Sequence, residues 1–432
     1  MDYQQSRAYV SDADRYAGGA LDLTNIKELM KRLGNPQDQL KYVHVAGTNG
    51  KGSVIAYLYT TLSEAGYRVG RYISPSVYSY REKMEVAGRS VSREQFAGYV
   101  TRVAAAIEEM TSEGLAHPTP FEIETAVAFL FFAEENCDLV ILEVGMGGNL
   151  DATNIIKNTI LAVLVPISMD HQSFLGNTLS EIAEKKAGII KPGCSVVTAG
   201  QQPETMAVIK NVCAQNNTDL TEADLREAKA VKEDFAGQIL EYRGETFELS
   251  LAGSYQTENA ALALEALHVL EKKGYPTTVL QRKKGLKDTR WNGRLTIIHR
   301  DPLFIVDGAH NPAAADMLED SVRKYFKGRK LFFIMGVFRD KDYPYIIRKL
   351  CPYAQQIVTV ETPDNPRALP AGELAEAIKP CNPNVQAAGS IEDAVNKVFD
   401  MAGCDDVILS FGSLSFIGQI TAIVKTREEK NS

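Results

Sequence analysis

No apolar run in this 432-residue chain reaches the roughly 18 residues that a bilayer crossing requires, which argues against a helical membrane protein. The opening residues Met1-Asp2-Tyr3-Gln4-Gln5 lack the basic and apolar regions of a signal peptide, so a cytoplasmic location is expected. Cysteine is sparse. The six thiols (Cys137, Cys194, Cys213, Cys351, Cys381 and Cys404) form no Cys-x-x-Cys pair and no metal-ligand spacing, so reduced thiols are expected rather than a disulfide framework. There is no excess of basic residues. Asp and Glu outnumber Lys and Arg by 55 to 47, a net charge of −8, which argues against nucleic acid as a main partner. An acidic surface can still hold a local cationic pocket for an anionic substrate. Long internal repeats and low-complexity segments are absent too. Tryptophan occurs once, at Trp291, and by default would be a packing residue.

What is present is a long chain with the composition of a globular protein, too long for one ordinary core. Its pattern alternates strand and helix, the mark of an α/β fold. Asp138–Val144 and Thr159–Ile167 are continuous apolar runs, as in a parallel sheet covered on both faces. Ser92-Arg93-Glu94-Gln95 and Thr119-Pro120-Phe121-Glu122 are capping boxes that predict helices to about Met110 and Glu135. Gln238–Leu251 alternates around Arg243-Gly244 and predicts a hairpin. Gln256–Lys273 predicts a helix, and Thr221–Asp234 a solvated face. A second α/β series begins near Leu295, with strands at Phe304–Val306, Leu331–Met335, Ile357–Val360 and Val407–Ser410. The polar stretch Lys283–Arg294 would join an N-terminal domain, residues 1–293, to a C-terminal one, residues 294–432.

The most informative segment is Gly47-Thr48-Asn49-Gly50-Lys51-Gly52-Ser53, directly after the apolar run Tyr42–Ala46. A strand that turns through glycines into a helix aims several backbone N–H groups at one anion, and the helix N-terminus adds partial positive charge. Lys51 would neutralise the outer phosphates of a nucleotide, and Ser53 would offer a hydroxyl near Mg²⁺. Gly52 stands where a strict P-loop has Ser or Thr, so this is a variant loop.

Two other strand ends carry polar chemistry, where ligands of an open parallel sheet bind. Glu143 ends an apolar strand. A carboxylate beside a phosphate cradle suits Mg²⁺, although a solvated strand-end residue is the plain alternative. Asp170-His171 follows the next strand. Imidazole is not a natural ligand of hard Mg²⁺, so a structural hydrogen bond accounts for His171 equally well. The glycine-rich loop from Gly145 to Asn154 starts just after Glu143 and is either a tight turn or a substrate-contacting loop. In the second series, Val306-Asp307-Gly308-Ala309-His310-Asn311-Pro312 is again strand end, turn and helix start. Asp307 and His310 are candidates there, against a capping turn with an incidental histidine. Arg294, at the junction, would reach phosphates or lie on the surface. Lys185 and Lys186 read as solvated helix lysines.

Taken in order, these segments resemble the folylpolyglutamate synthase/dihydrofolate synthase family, relatives of the Mur ligases. The likeness runs through Gly47–Ser53, Ser74-Pro75, Thr119–Glu122, Glu143–Asn154, Asp170-His171 and Leu175-Gly176. It continues through Glu184–Ile189, Leu251–Gln256 with Asn259-Ala260, Trp291–Arg294, Asp307–Pro312 and Gly412-Ser413. The Gly-Lys-Gly-Ser order is that of the folate enzymes; Mur ligases usually have threonine where Gly52 stands. Asn292 replaces the family's usual proline, and Ser76-Val77 its usual His-Leu.

The resemblance implies a fold and roles. The fold would be an N-terminal ATPase domain with a P-loop and a parallel sheet, plus a smaller Rossmann-like C-terminal domain. Gly50, Lys51, Gly52 and Ser53 would hold the ATP phosphates, with Gly47, Thr48 and Asn49 completing the loop. Ser74, Glu143 and His171 would hold Mg²⁺, and Asn259 would contact adenine. Arg294 and Asp307 would complete the nucleotide site, with His310 near the reacting phosphate. Lys186 matches a lysine that the family can carry as a carbamate. The implied reaction joins L-glutamate to a folate or to dihydropteroate through an acyl phosphate, in a monomer that closes two domains. The alternatives are a Mur-type ligase acting on a UDP-muramyl peptide and an ATP-switched binding protein that forms no amide.

Overall fold

The strand that feeds the phosphate loop lies inside an eight-stranded sheet. The computed structural model describes residues 1–16, 22–235, 237–363 and 365–431. Its first sheet contains β1 (Tyr42–Ala46), β2 (Val69–Tyr72), β3 (Met84–Val86), β4 (Arg89–Ser90), β5 (Leu139–Glu143), β6 (Thr159–Leu164), β7 (Ser195–Thr198) and β8 (Asp219–Glu222). The spatial order is β4-β3-β2-β5-β1-β6-β7-β8. From β2 to β8 every pair is parallel, while β3 and β4 add antiparallel strands at one edge. Every residue of β1 and β5 is buried, because helices cover both faces and leave no solvent-facing side for alternation.

Helices begin where the capping chemistry dictates. Arg93–Ser112 is opened by Ser92 and Gln95, and Pro120–Glu134 by Thr119 and Glu122, each a reciprocal capping box. The helix Lys51–Glu64 starts directly from Gly50, which sits in the left-handed region. Thus the amide-rich N-terminus of this helix faces the same sheet edge as the ends of β5 and β6.

A three-stranded antiparallel sheet follows, from β9 (Lys229–Asp234), β10 (Gly237–Tyr242) and β11 (Glu245–Leu249). The turn between β10 and β11 is Arg243-Gly244, with positive φ at both residues, which suits the right-handed twist of a hairpin. The expected solvated face Thr221–Asp234 therefore includes the ladder strand β9, whose first four side chains are exposed. Its charges face water while its backbone pairs with β10.

The third sheet holds β12 (Thr296–His299), β13 (Leu303–Val306), β14 (Leu331–Met335), β15 (Gln356–Thr359), β16 (Val385–Ala387) and β17 (Val407–Phe411), in the order β12-β13-β17-β14-β15-β16. Five strands are parallel and β12 is an antiparallel edge.

The chain forms two compact units. One comprises Met1–Ser76, Tyr80–Ala228 and Glu258–Asp288; the other comprises Val77–Ser79, Lys229–Thr257 and Thr289–Ser432. The three-stranded sheet belongs to the second unit. There Glu233 of β9 is paired with Lys324 and Tyr325 of the helix Pro312–Tyr325, and Phe235 packs on Tyr325 and Phe326. The polar stretch read as a joining segment differs from expectation in its first half. Helix Val279–Asp288 occupies it, since Lys, Arg, Gln and Leu are good helix formers and one face finds a core. Gly285 is the contact point, because a Cβ there would lie 2.3 Å from the Thr61 hydroxyl of Lys51–Glu64.

Candidate active site

In the first unit the phosphate loop is shaped by what surrounds it. Gly47 has φ +137°, and a side chain there would meet Val165 at 2.2 Å, so neither the conformation nor the space admits another residue. Gly50 has φ +100°, and an added Cβ would touch the Asn259 side chain at 2.5 Å. Asn259, buried at 6% exposure on the helix Gln256–Lys272, thus lies directly against the loop. Thr48 is committed to the neighbouring strand end. Its hydroxyl donates to Ser168 O at 3.1 Å and accepts from Ser168 N at 3.0 Å, while its amide donates to Pro166 O at 2.9 Å. Ser53 is buried in the first helical turn.

Lys51 folds back onto this loop. Its Nζ donates to Gly47 O and Thr48 O, both at 3.2 Å, and lies 4.0 Å from Glu143 Oε1. Glu143, at the end of β5, is 7% exposed, so it is no solvated strand-end residue. Ser74 N donates to Glu143 Oε2 at 3.3 Å, which sets Ser74 beside the carboxylate; the Ser74–Pro75 peptide is cis.

Lys186 overturns the reading of it as a solvated helix lysine. It is 5% exposed, and its Nζ donates to Gly47 O at 2.8 Å, so two lysines converge on one carbonyl of the phosphate loop. Burial, and next the neighbouring charge of Lys51, lower its pKa to about 7, opposed by Asp170 and Asp151. Lys185, one residue earlier, is the partly exposed one and reaches Phe174 O at 2.6 Å. The signal was in the spacing. Ile182, Ala183, Lys186 and Ala187 are the buried residues of that helix, at i, i+1, i+4 and i+5, so Lys186 stands on the apolar stripe.

His171 has φ +49° and ψ +39°, with its amide on Asp170 Oδ1 at 2.8 Å and Nε2 3.9 Å from Asp170 Oδ2. Among the described residues no group of three or more His, Cys, Asp and Glu is arranged to hold a metal ion by itself. The donor chemistry fits Mg²⁺ all the same: one buried carboxylate with a serine next to it leaves coordination positions for water and phosphate oxygens, as this ion prefers.

The glycine loop after β5 is held from inside. Asp151 accepts from Met146 N at 2.9 Å, Thr153 N at 3.0 Å and Thr153 Oγ1 at 2.5 Å. Thr153 also meets His44 Nε2 of β1 at 2.8 Å. Sequence reasoning did not single out His44; the alternation of β1 with a histidine among Val43 and Val45 carries no signal for it.

In the second unit Arg294, Asp307 and His310 gather in the turns that follow Trp291 and β13. Asp307, 4% exposed, accepts from Leu295 N at 2.9 Å through Oδ2 and from Ala309 N at 2.8 Å through Oδ1. Burial raises its pKa, and Arg294 and the two amides oppose that rise. The Arg294 guanidinium lies over Gly308, where a Cβ would be 2.5 Å from Nη1. His310 Nδ1 is 2.7 Å from Gly308 O and therefore carries the proton, because a carbonyl only accepts. Asn311 caps the following helix through Ala314 N at 2.9 Å. Trp291 is half-buried at the start of this turn.

Two family descriptions match the chain: "Mur ligase middle domain" over residues 45–267 and "Mur ligase, glutamate ligase domain" over residues 293–414. A dihydrofolate synthase/folylpolyglutamate synthase of Bacillus subtilis is 34% identical over 98% of this chain and 99% of its own length. A folylpolyglutamate synthase of Lacticaseibacillus casei is 33% identical over 86% of this chain and 88% of that protein. Among solved structures, Mycobacterium tuberculosis folylpolyglutamate synthase complexed with ADP and AMPPCP superposes with a TM-score of 0.87 and 30% identity, covering 98% of this chain and 99% of the other. A folylpolyglutamate synthase complex with AMPPCP and folate gives 0.82 at 30% identity, covering 99% and 100%. Among the described residues no helix is long and apolar enough to cross a membrane.

Proposed function

The chain belongs to the folylpolyglutamate synthase/dihydrofolate synthase family of Mur ligases, which are ATP-dependent, and we propose that it joins L-glutamate to a reduced folate, to dihydropteroate, or to both. The observation that carries this reading is the phosphate loop on a helix N-terminus with Lys51 and Glu143 beside it. The acceptor's carboxylate attacks the γ-phosphate of ATP and gives an acyl phosphate and ADP. The amine of glutamate then attacks that carbonyl, the amide forms, and phosphate leaves.

Phosphoryl transfer of this kind asks mainly for positioning and charge neutralisation. The amides of the helix N-terminus after Gly50 supply fixed donors, while that of Thr48 is committed to Pro166 O. Lys51 has only to leave Gly47 O and Thr48 O to meet a phosphate, and Lys186 stays behind on Gly47 O to hold the loop's shape. Glu143, with Ser74 and His171, is assigned to Mg²⁺, which when bound would neutralise phosphate charge. Asn259, packed on Gly50, is assigned to adenine. Both oxygens of Asp307 are occupied by amides, so its assigned part is to hold the turn that carries Arg294 and His310, the groups assigned to the nucleotide phosphates. The amine of Lys186, with its pKa near 7, has a substantial neutral fraction at neutral pH, the form that adds CO₂; this supports its assignment as the carbamate-bearing lysine.

The deciding experiment incubates the protein with ATP, Mg²⁺ and L-glutamate and either dihydropteroate, tetrahydrofolate or methylene-tetrahydrofolate, and reads products by mass. A gain of one or more glutamyl residues on at least one acceptor is expected. ATP hydrolysis that ignores glutamate and yields no amide would instead mark an ATP-switched binding protein. Amide formation only on a UDP-muramyl peptide would mark the Mur-type alternative.

A further inference from the structure

The buried network that joins β1 to the glycine loop is not accounted for by nucleotide or metal binding. His44 is fully buried in the middle of β1, opposite Leu142 of β5. Burial, with a smaller contribution from Lys191, lowers its pKa to about 3, so the ring is neutral. Thr153 has one hydroxyl proton. At 2.5 Å from Asp151 Oδ1 that proton goes to the carboxylate, the stronger acceptor. The Thr153 oxygen then accepts from His44 Nε2–H at 2.8 Å, which fixes the histidine tautomer. His44 Nδ1 is buried and has no partner. An orphan buried nitrogen is a cost that phenylalanine, of nearly the same shape, would avoid. Packing alone therefore does not account for histidine here; the bond to Thr153 does.

Asp151 closes the loop on itself. Its carboxylate gathers the amides of Met146 and Thr153; burial raises its pKa, and hydrogen bonds from Thr153, Met146 and Gly145 oppose that rise. On the far side Asn154 Nδ2 donates to Asn149 O and Gly188 O, both at 3.1 Å. Gly145 lies flat against Phe121, where a Cβ would be 2.7 Å from the ring. The loop is thus a rigid rim beside Glu143, and its inner anchor is a strand residue three positions before Gly47.

We propose that His44 is a positioning residue which, through Thr153 and Asp151, holds the Gly145–Asp151 loop in the shape that receives the glutamate-accepting substrate. The proposal rests on the ligase reading above for the acceptor, and on taking the Gly145–Asn154 loop as the substrate-contacting one of its two sequence readings, but not for the existence of the relay. The relay acts on the acceptor more than on the nucleotide, although Asp151 also faces the charge of Lys186 on the phosphate loop.

The test compares Thr153→Val with Thr153→Ser, and His44→Phe with His44→Gln. Valine keeps the shape of threonine and removes the hydroxyl; serine restores it, and glutamine restores a donor near Nε2. Three quantities are read: KM for the best acceptor, affinity for Mg-ADP by calorimetry, and amide hydrogen exchange over residues 144–154. Leaving buried partners unpaired sets an effect of roughly 5- to 100-fold. Thr153→Val and His44→Phe are expected to raise acceptor KM by about tenfold or more and to speed exchange of 144–154 by a similar factor. Mg-ADP affinity should change less than about twofold, and serine should restore both readouts. Equal values for valine and serine would overturn the proposal, as would a parallel loss of Mg-ADP affinity. The threonine pair decides the matter if His44→Phe does not fold. If the wild-type protein glutamylates no acceptor, the ligase reading fails, while the exchange comparison still decides the relay.

Discussion

Replacing Lys186 by methionine tests the electrostatics of the phosphate loop directly. Methionine matches the length of the lysine stem but carries no charge and donates no hydrogen bond. In the folded protein burial holds the Lys186 pKa at about 7, against an unperturbed 10.5. Below pH 7 both folded and unfolded chains carry the charge, and the whole cost of burying it is felt. Between pH 7 and 10.5 the unfolded chain binds the extra proton, so stability rises with pH; above 10.5 the term is gone. Each pH unit within that window is worth up to about 1.4 kcal/mol. With the two pKa values above, the net rise from pH 7 to pH 9 is roughly 2 kcal/mol. The lost bond to Gly47 O adds an offset that does not depend on pH. The measurement is urea unfolding of wild type and Lys186→Met at pH 7, 8 and 9, followed by circular dichroism. With an m-value of about 3 kcal/mol per M, the gap between the two midpoints should shift by roughly 0.7 M in favour of wild type across that range. A gap that stays constant with pH would refute the buried, discharged lysine.

Lys51→Ala should slow formation of the acyl phosphate by at least ~10², read as single-turnover ADP production, because a preorganised charge at the transferred phosphoryl is lost. Gly47→Ala combines a left-handed backbone with overlap on Val165, costing roughly 2–5 kcal/mol. Gly114→Ala, also at positive φ but with open space around it, should cost only about 1 kcal/mol, and thermal melts compare the two. Glu143→Gln keeps the size of the side chain and removes its charge. It should raise the Mg²⁺ concentration for half-maximal turnover by tenfold or more, as checked by a Mg²⁺ titration at fixed ATP.

Much of the machinery is legible in the sequence, for a local reason. A phosphate loop is a strand, a glycine turn and a helix start within a dozen residues, and capping boxes act over three. The sequence by itself therefore determined the α/β class, the boundaries set by Ser92, Thr119 and Asn311, and the chemistry of Gly47–Ser53. It also determined the ordered set of segments by which the family is known. Burial and long-range pairing belong to the tertiary structure. The spacing of Ile182, Ala183 and Ala187 puts Lys186 on the inward stripe, but only the fold decided that it meets Gly47 O, 139 residues away. Only the fold brought His44 to Thr153 across 109 residues, and Thr48 to Ser168 across 120. A polar side chain's state depends on which distant backbone groups the packing brings within 3 Å of it and how much water it removes, and neither is written in the residue's own neighbourhood.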